Sequence, residues 1–359
     1  MQRTMSTTPA WPLILPFEAE WPVLHGPVHL AEPGSAVLGR VTMGAGATLR
    51  PHAVLRGDGH VVVVGDDFHL GEHATVHIAH DLFGTSVGHR VSVGANSIVH
   101  ACTVEDDCVI QPGVAVLDGS RIGKGCVVAA GSVVFGRSEL PAGHWCEGVP
   151  AVALRHVSPA ELRLEHERVR QAASPAVASA AQVLGSLLPQ RRAPRAYVAS
   201  TVAGSGPVDM AEASSLWFGC TVQAAGPGLS LAAGCNVQDN SVIQAAVQGV
   251  HVGEGSTIGH NVLLQDCRVG ARVLVGMGST LAAGTQLQDD LLLAAGSITQ
   301  QGQVLDNGWL WGGRPARALA RLDDRKRDLI RRSADIYQDY ALGFSTSQAQ
   351  YEAGNAPSP

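Results

Sequence analysis

The sequence predicts a mainly β protein: two parallel β-helices in one chain, each followed by an α-helix. The first observation behind this is a period of six. From Val87 the chain reads VGHRVS VGANSI VHACT VEDDCV IQPGVA VLDGSR IGKGCV VAAGSV, and from Val252 it reads VGEGST IGHNVL LQDCR VGARVL VGMGST LAAGTQ LQDDLL LAAGSI. An aliphatic residue opens each block, small residues recur within it, and a block of five stands at the same place in both runs. Six residues are too few for a helical repeat and too regular for a meander. Three such faces make a triangular rung of roughly 18 residues, with the opening aliphatics stacked inward and small residues at the corners. The second observation is composition: 16% charged, 4% aromatic and 42 glycines in 359 residues suit stacked β-structure with many tight corners.

Taken in order, residues 1–24 form an N-terminal extension and 25–157 the first β-helix domain. A helix follows within 158–186. Ser158-Pro159-Ala160-Glu161 is a capping-box signature with Pro at the first helical position, ahead of ELRLEHERVRQAA and a break at Pro175. The Pro/Arg-rich LLPQRRAPRA predicts a linker over 187–196, before a second β-helix domain at 197–319. The spacing of Leu322, Leu329, Ser333, Ile336 and Tyr340 predicts an amphipathic helix over 320–343, and 344–359 reads as a flexible tail.

A net charge of −6 gives no electrostatic reason to expect nucleic acid or an anionic membrane as partner. No basic n-region with an apolar h-region opens the chain and no apolar run approaches ~18 residues, so the expected location is the cytoplasm. The seven cysteines, Cys102, Cys108, Cys126, Cys146, Cys220, Cys235 and Cys267, include no CxxC pair and read as reduced, buried small hydrophobes.

Two similar stretches divide a chemical pair between them. In TIGHNVLLQD, His260 precedes Gln265 by five residues; in SVGANSIVHA, Ala95 precedes His100 by five. The surrounding motifs are specific. AVLRGD (53–58) with GDDFHLGEHATVH (65–77), NVQDNSVIQ (236–244), VGARVLVGMGS (269–279), GVPA (148–151) and GGRPARAL (312–319) resemble the gamma-class carbonic anhydrases. The resemblance spans roughly 25–175 and 196–342 and implies a left-handed β-helix that usually works as a trimer.

That family holds zinc with three histidines, two from one subunit and one from its neighbour. Carried over, the stacked pair falls on His77 and His100. Each follows the third inward aliphatic of its rung, so they share a face about 4.8 Å apart in height. The reaching position is Ala95 in the first half and His260 in the second, where Gln244 and Gln265 replace the stacked pair. Neither half is complete, and only the first half's stacked face against the second half's reaching face assembles His77, His100 and His260. The other motif positions divide alike. Arg56 and Asp58 match the family's Arg-x-Asp, against Gln223 and Ala225; Asn236, Gln238 and Asp239 match its Asn-x-Gln-Asp, against His69, Gly71 and Glu72.

The resemblance implies one zinc per chain, with iron or cobalt as alternatives that neutral imidazoles also accept. It implies reversible hydration of carbon dioxide to bicarbonate. Gln238 would hydrogen-bond the metal's solvent, while Arg56, Asp58, Asn236 and Asp239 order the interface around the ligands. It also implies a homo-oligomer with mixed first-domain and second-domain interfaces. Gly59 stands where fast family members carry a glutamate proton shuttle. His60, His73, His80 and His89 read as solvated, with His80 also a candidate relay. Two other classes share the fold: a non-catalytic scaffold or binding protein, and a hexapeptide-repeat acyltransferase, for which no cofactor-groove insertion is visible.

Overall fold

The computed structural model describes residues 11–172, 187 and 189–353. Its strands form two stacks, called here the first and second coil. In the first coil, a twelve-stranded and an eight-stranded sheet run between Leu13 and His156; in the second, sheets of seven, eight and five strands run between Arg191 and Arg321. Nearly all pairings are parallel and advance one rung at a time: Leu55 faces Val76, which faces Val99, then Val116, then Val134. These aliphatics are buried, as the six-residue phase requires. Each coil ends in one antiparallel hairpin, His144–Gly148 with Ala151–His156 and Trp309–Gly313 with Ala316–Arg321. GVPA and GGRPA make their turns.

Corners are left-handed. Gly206, at φ 93°, has no alternative, because a Cβ there would sit 1.8 Å from the Ala224 carbonyl oxygen. Asparagine tolerates the same backbone, and Asn240 and Asn261, at φ 57° and 54°, use it to aim their amides across to the first coil. Asn240 Nδ2 donates to Thr75 Oγ1 (3.0 Å). Thr75 Oγ1 donates to Asn261 Oδ1 (2.9 Å), and Asn261 Nδ2 to the His73 carbonyl (2.6 Å). Beside them Ile98, Ala115 and Val133 form a buried apolar stripe against which Met277 packs, and a Cβ on Gly278 would meet Ile98 Cδ1 at 3.6 Å.

Helix α1, Pro159–Gln171, starts at Ser158, whose hydroxyl accepts from the Glu161 amide (3.2 Å). The capping box is half made: Glu161 turns outward to Arg155 instead of back to Ser158. Val169 seats α1 on Val109 and Val127. Helix α2 spans Asp324–Glu352, capped by Asp323. It lies along the second coil's strands Tyr197–Val198, Ser215–Leu216, Asn236–Val237, Thr257–Ile258 and Val273–Val275.

Several expected boundaries move. Residues 11–24 are not a separate extension, since Leu13–Leu15 and Val23–Leu24 both pair with Ala36–Met43. The last part of the 187–196 linker already belongs to the second coil, where Arg191–Arg192 pairs with Val208–Met210. The 344–352 stretch is not a tail. Helix α2 continues through it because Phe344 and Ser347 are buried, Phe344 against Phe17, Trp217 and Phe218. The parts of the predicted helix and tail at 173–186 and 354–359 lie outside the described residues. All seven cysteines are buried and free.

Candidate metal centre

The stacked pair is built by register. Strands Thr75–His77 and Ile98–His100 pair so that His77 lies directly beside His100. His260 arrives from the corner after Thr257–Ile258 of the second coil, and its buried ring packs edge-on to His77 with centroids 4.8 Å apart. One ring nitrogen from each of the three lies within 4.8 Å of the others. His77 Nδ1 stands 3.3 Å from His100 Nε2 and 3.1 Å from His260 Nε2.

The outer nitrogens explain why these inner ones converge. His77 Nε2 lies 2.9 Å from Asp58 Oδ1, and His100 Nδ1 lies 2.7 Å from Asp118 Oδ1. His260 Nδ1 sits 3.1 Å from Asp239 Oδ2, at ion-pair distance though off the line of a good hydrogen bond. A carboxylate behind each ring, hydrogen-bonded at His77 and His100 and at ion-pair distance at His260, draws the N–H to the outer side and leaves one nitrogen lone pair of each ring facing the others. Lone pairs repel unless a cation sits among them. Three ligands at about 2.0–2.1 Å in a tetrahedral arrangement would be roughly 3.3 Å apart, close to the two short spacings here. Formal charge agrees: three carboxylates against the single Arg56 guanidinium leave a deficit that a divalent cation balances. The donor set therefore fits a divalent metal.

Burial keeps the His77 and His260 rings neutral, as ligands must be. It holds the His77 pKa well below its ordinary value and brings His260 down to about 4, the latter despite Asp239. Burial raises the Asp58 carboxyl, Arg56 notwithstanding. Burial would also raise Asp239, but Arg56 and His260 outweigh it and hold that carboxyl low.

Arg56 ties the site together. Fully buried, it pairs with Asp58 of its own strand and reaches Asp239 of the second coil through Nε (3.0 Å) and Nη2 (2.9 Å). Its Nη2 also donates to Tyr337 Oη of α2 (2.8 Å), and the guanidinium lies 4.5 Å above the Trp217 ring centroid. Tyr337 Oη in turn is 3.3 Å from His260 Nε2. Gln238 faces a cavity of about 600 Å³ that also reaches His77 and His100. Its amide nitrogen donates to Asn236 Oδ1 (3.3 Å), and Asn236 Nδ2 donates to Thr257 Oγ1 (2.9 Å).

All eight residues singled out in the sequence thus gather here, with Asn236 one step back behind Gln238. Asp118 and Tyr337 were missed. Asp118 stands one position past the residue that the register sets beside His100, since Val99 pairs with Val116, and its carboxylate reaches back to the ring. Tyr337 carried no comparable signal, because its place depends on how α2 is rotated. His73 was expected to be solvated and is instead fully buried, stacked on His52 with ring centroids 4.7 Å apart where the coils meet. Gly59 also has a physical reason. A Cβ there would lie 2.3 Å from both His80 Nδ1 and Tyr340 Oη, which are themselves hydrogen-bonded at 2.6 Å.

Fold and site together define a hexapeptide-repeat β-helix protein with a three-imidazole centre, and known proteins narrow the class. Residues 101–136 match the family model for the bacterial transferase hexapeptide (six repeats). The chain is 33% identical over 162 residues to gamma carbonic anhydrase 1, mitochondrial, of Arabidopsis thaliana, covering 43% of this chain and 59% of that protein. It is 32% identical over 146 residues to carnitine operon protein CaiE of Escherichia coli K12, covering 41% and 74%. A putative acetyltransferase from Desulfovibrio desulfuricans G20 superposes with a TM-score of 0.55 over 81% of this chain and 67% of that one; at 16% identity it speaks for the fold alone. Over these stretches the chain is similar to gamma-class carbonic anhydrases. It spans 59–63% of the length of its three Arabidopsis relatives. Among the described residues no helix is long and apolar enough to cross a membrane.

Proposed function

We propose that this protein hydrates carbon dioxide reversibly to bicarbonate, at one metal centre per chain held by His77 and His100 of the first coil and His260 of the second. The observation that carries this reading is the convergence of three bare imidazole nitrogens, each ring backed by its own carboxylate. Zinc is the first choice, with iron or cobalt acceptable to the same donors. A divalent metal so held would supply Lewis acidity, which lowers the pKa of water toward neutrality.

The chain's own residues do the rest. Leu117, Leu274 and Met277 give the cavity an apolar wall suited to carbon dioxide, and Gln238, turned by Asn236, presents its amide to that cavity and would orient what binds there. Arg56 fixes the spacing of the two coils by bonding Asp58 and Asp239 together. Hydration of carbon dioxide by water yields bicarbonate and a proton. Assembly of chains into a homo-oligomer belongs to the same reading, by analogy with the family.

The test is metal per chain in protein purified without chelator, with stopped-flow hydration measured on the same sample and on His260→Ala. About one metal per chain, with metal and hydration both lost in the variant, is expected. Metal that survives the loss of His260, or none in the parent protein, overturns the reading. In the latter case binding of acetyl-CoA would separate an acyltransferase from a scaffold.

A further inference from the structure

Of the three carboxylates behind the histidines, two have other work. Asp58 pairs with Arg56 and accepts from the Gly59 amide. Asp239 pairs with Arg56 and accepts from the Phe218 amide (3.1 Å). Asp118 is different. Among the described residues its carboxylate has one hydrogen-bonded side-chain partner, His100 Nδ1 at 2.7 Å, and no arginine or lysine pairs with it. Its part in the turn is made by its backbone, whose carbonyl accepts from the Arg137 amide (2.9 Å). Nearly half of the side chain is exposed, so burial does not require it to be paired.

The second coil offers a comparison. VLDGS (116–120) and LAAGT (281–285) occupy the same turn after the same inward aliphatic, so Ala283 stands where Asp118 does. The rung before it carries Gln265 in place of His100. The coil that lacks the histidine lacks the carboxylate too, and its turn is made just as well: Gly284 donates to the Asp266 carbonyl as Gly119 donates to that of Ala101. The side chain at this position follows the imidazole and not the fold.

We propose that Asp118 is a positioning residue for His100. By accepting a hydrogen bond from Nδ1–H it fixes the tautomer that leaves the Nε2 lone pair toward His77 and His260, and it makes that nitrogen a stronger donor to a cation. The inference rests on the metal reading above and adds to it a residue that acts through His100.

Cobalt(II) is the probe, because its visible absorption reports ligand geometry and its affinity can be measured against a chromophoric chelator without any turnover. In Asp118→Ala the affinity is expected to fall 10–100-fold, as for other carboxylates behind metal-binding histidines, and the absorption bands to change. Asp118→Asn keeps an oxygen acceptor without the charge, so it should recover part of the affinity and most of the spectrum. The melting temperature of the metal-free protein should be unchanged in both, since Ala283 shows that the turn tolerates alanine. Wild-type affinity and spectrum in Asp118→Ala would overturn the assignment. So would a lowered metal-free melting temperature with an unchanged spectrum, which would make Asp118 a structural group. A parent protein that takes up no cobalt would overturn this inference together with the metal centre itself, a result distinct from the other two.

Discussion

The two coils present the same face in two conditions. In the first, Thr75–His77, Ile98–His100 and Ala115–Val116 are covered by the second coil; in the second, the corresponding Val242–Ala245, Leu263–Gln265 and Thr280–Leu281 have no such cover among the described residues. Ile98 is buried and its counterpart Leu263 only half-buried. Where the covered face has His77 beside His100, the other has Gln244 beside Gln265, joined by an amide hydrogen bond of 2.9 Å. The reaching residues are reversed, with His260 packed into the centre and Ala95 in its place on the first coil. Each coil therefore keeps chemistry on the face that meets the other and holds inert residues where it does not. A duplicated architecture has been given two unlike halves of one site.

That contrast can be broken most severely at the ligands. Exchanging His77 and His100 for glutamine should abolish metal retention, whereas Gln244→His with Gln265→His should leave metal per chain at its parent value, because no third imidazole reaches that face; elemental analysis after dialysis reads both. Next is Arg56. Arg56→Met strands two buried carboxylates and should cost about 3–5 kcal/mol in denaturant unfolding. Its counterpart Gln223 is exposed, and Gln223→Met should stay within about 0.5 kcal/mol. The apolar stripe follows: Ile98→Ala should cost about 2–5 kcal/mol and Leu263→Ala distinctly less.

The smallest effect is one of pH. Burial lowers the pKa of His52 to about 4 and that of His73 to about 3, while their counterparts in the second coil, Gly219 and Asn240, do not titrate. Between those values and the ordinary 6.5, the unfolded chain binds protons that the folded chain refuses. Stability contributed by the neutral rings is therefore complete above pH 6.5 and declines as the pH falls toward 4, each ring adding a slope of up to about 1.4 kcal/mol per pH unit. Unfolding at pH 7 and 5 should show a shallower decline in His73→Asn than in the parent. An equal decline would remove these rings from the account.

The fold and most of the centre were legible because a β-helix converts sequence spacing directly into height and face. A six-residue phase places His77 over its neighbour His100 with no knowledge of anything distant, and mismatched halves then imply which faces meet. What escaped depended on contacts outside that lattice. Tyr337 needed the rotation of α2, and the burial of His73 needed the coil opposite. The length of α2 was hidden because Phe344 finds its pocket between Phe17, Trp217 and Phe218, residues more than a hundred positions away. Asp118, one residue past the register partner of His100, could be found only by asking what stands behind that ring.

His77 and His260 are separated by 183 positions of one continuous backbone. A centre shared between separate subunits comes apart on dilution, and its occupancy depends on how much protein is present. Here the covalent connection gives the two halves an effective concentration that no change in bulk amount can lower. On the proposed reading, formation of the centre becomes a first-order event within a single molecule, and its two halves are made in fixed one-to-one proportion by every act of translation.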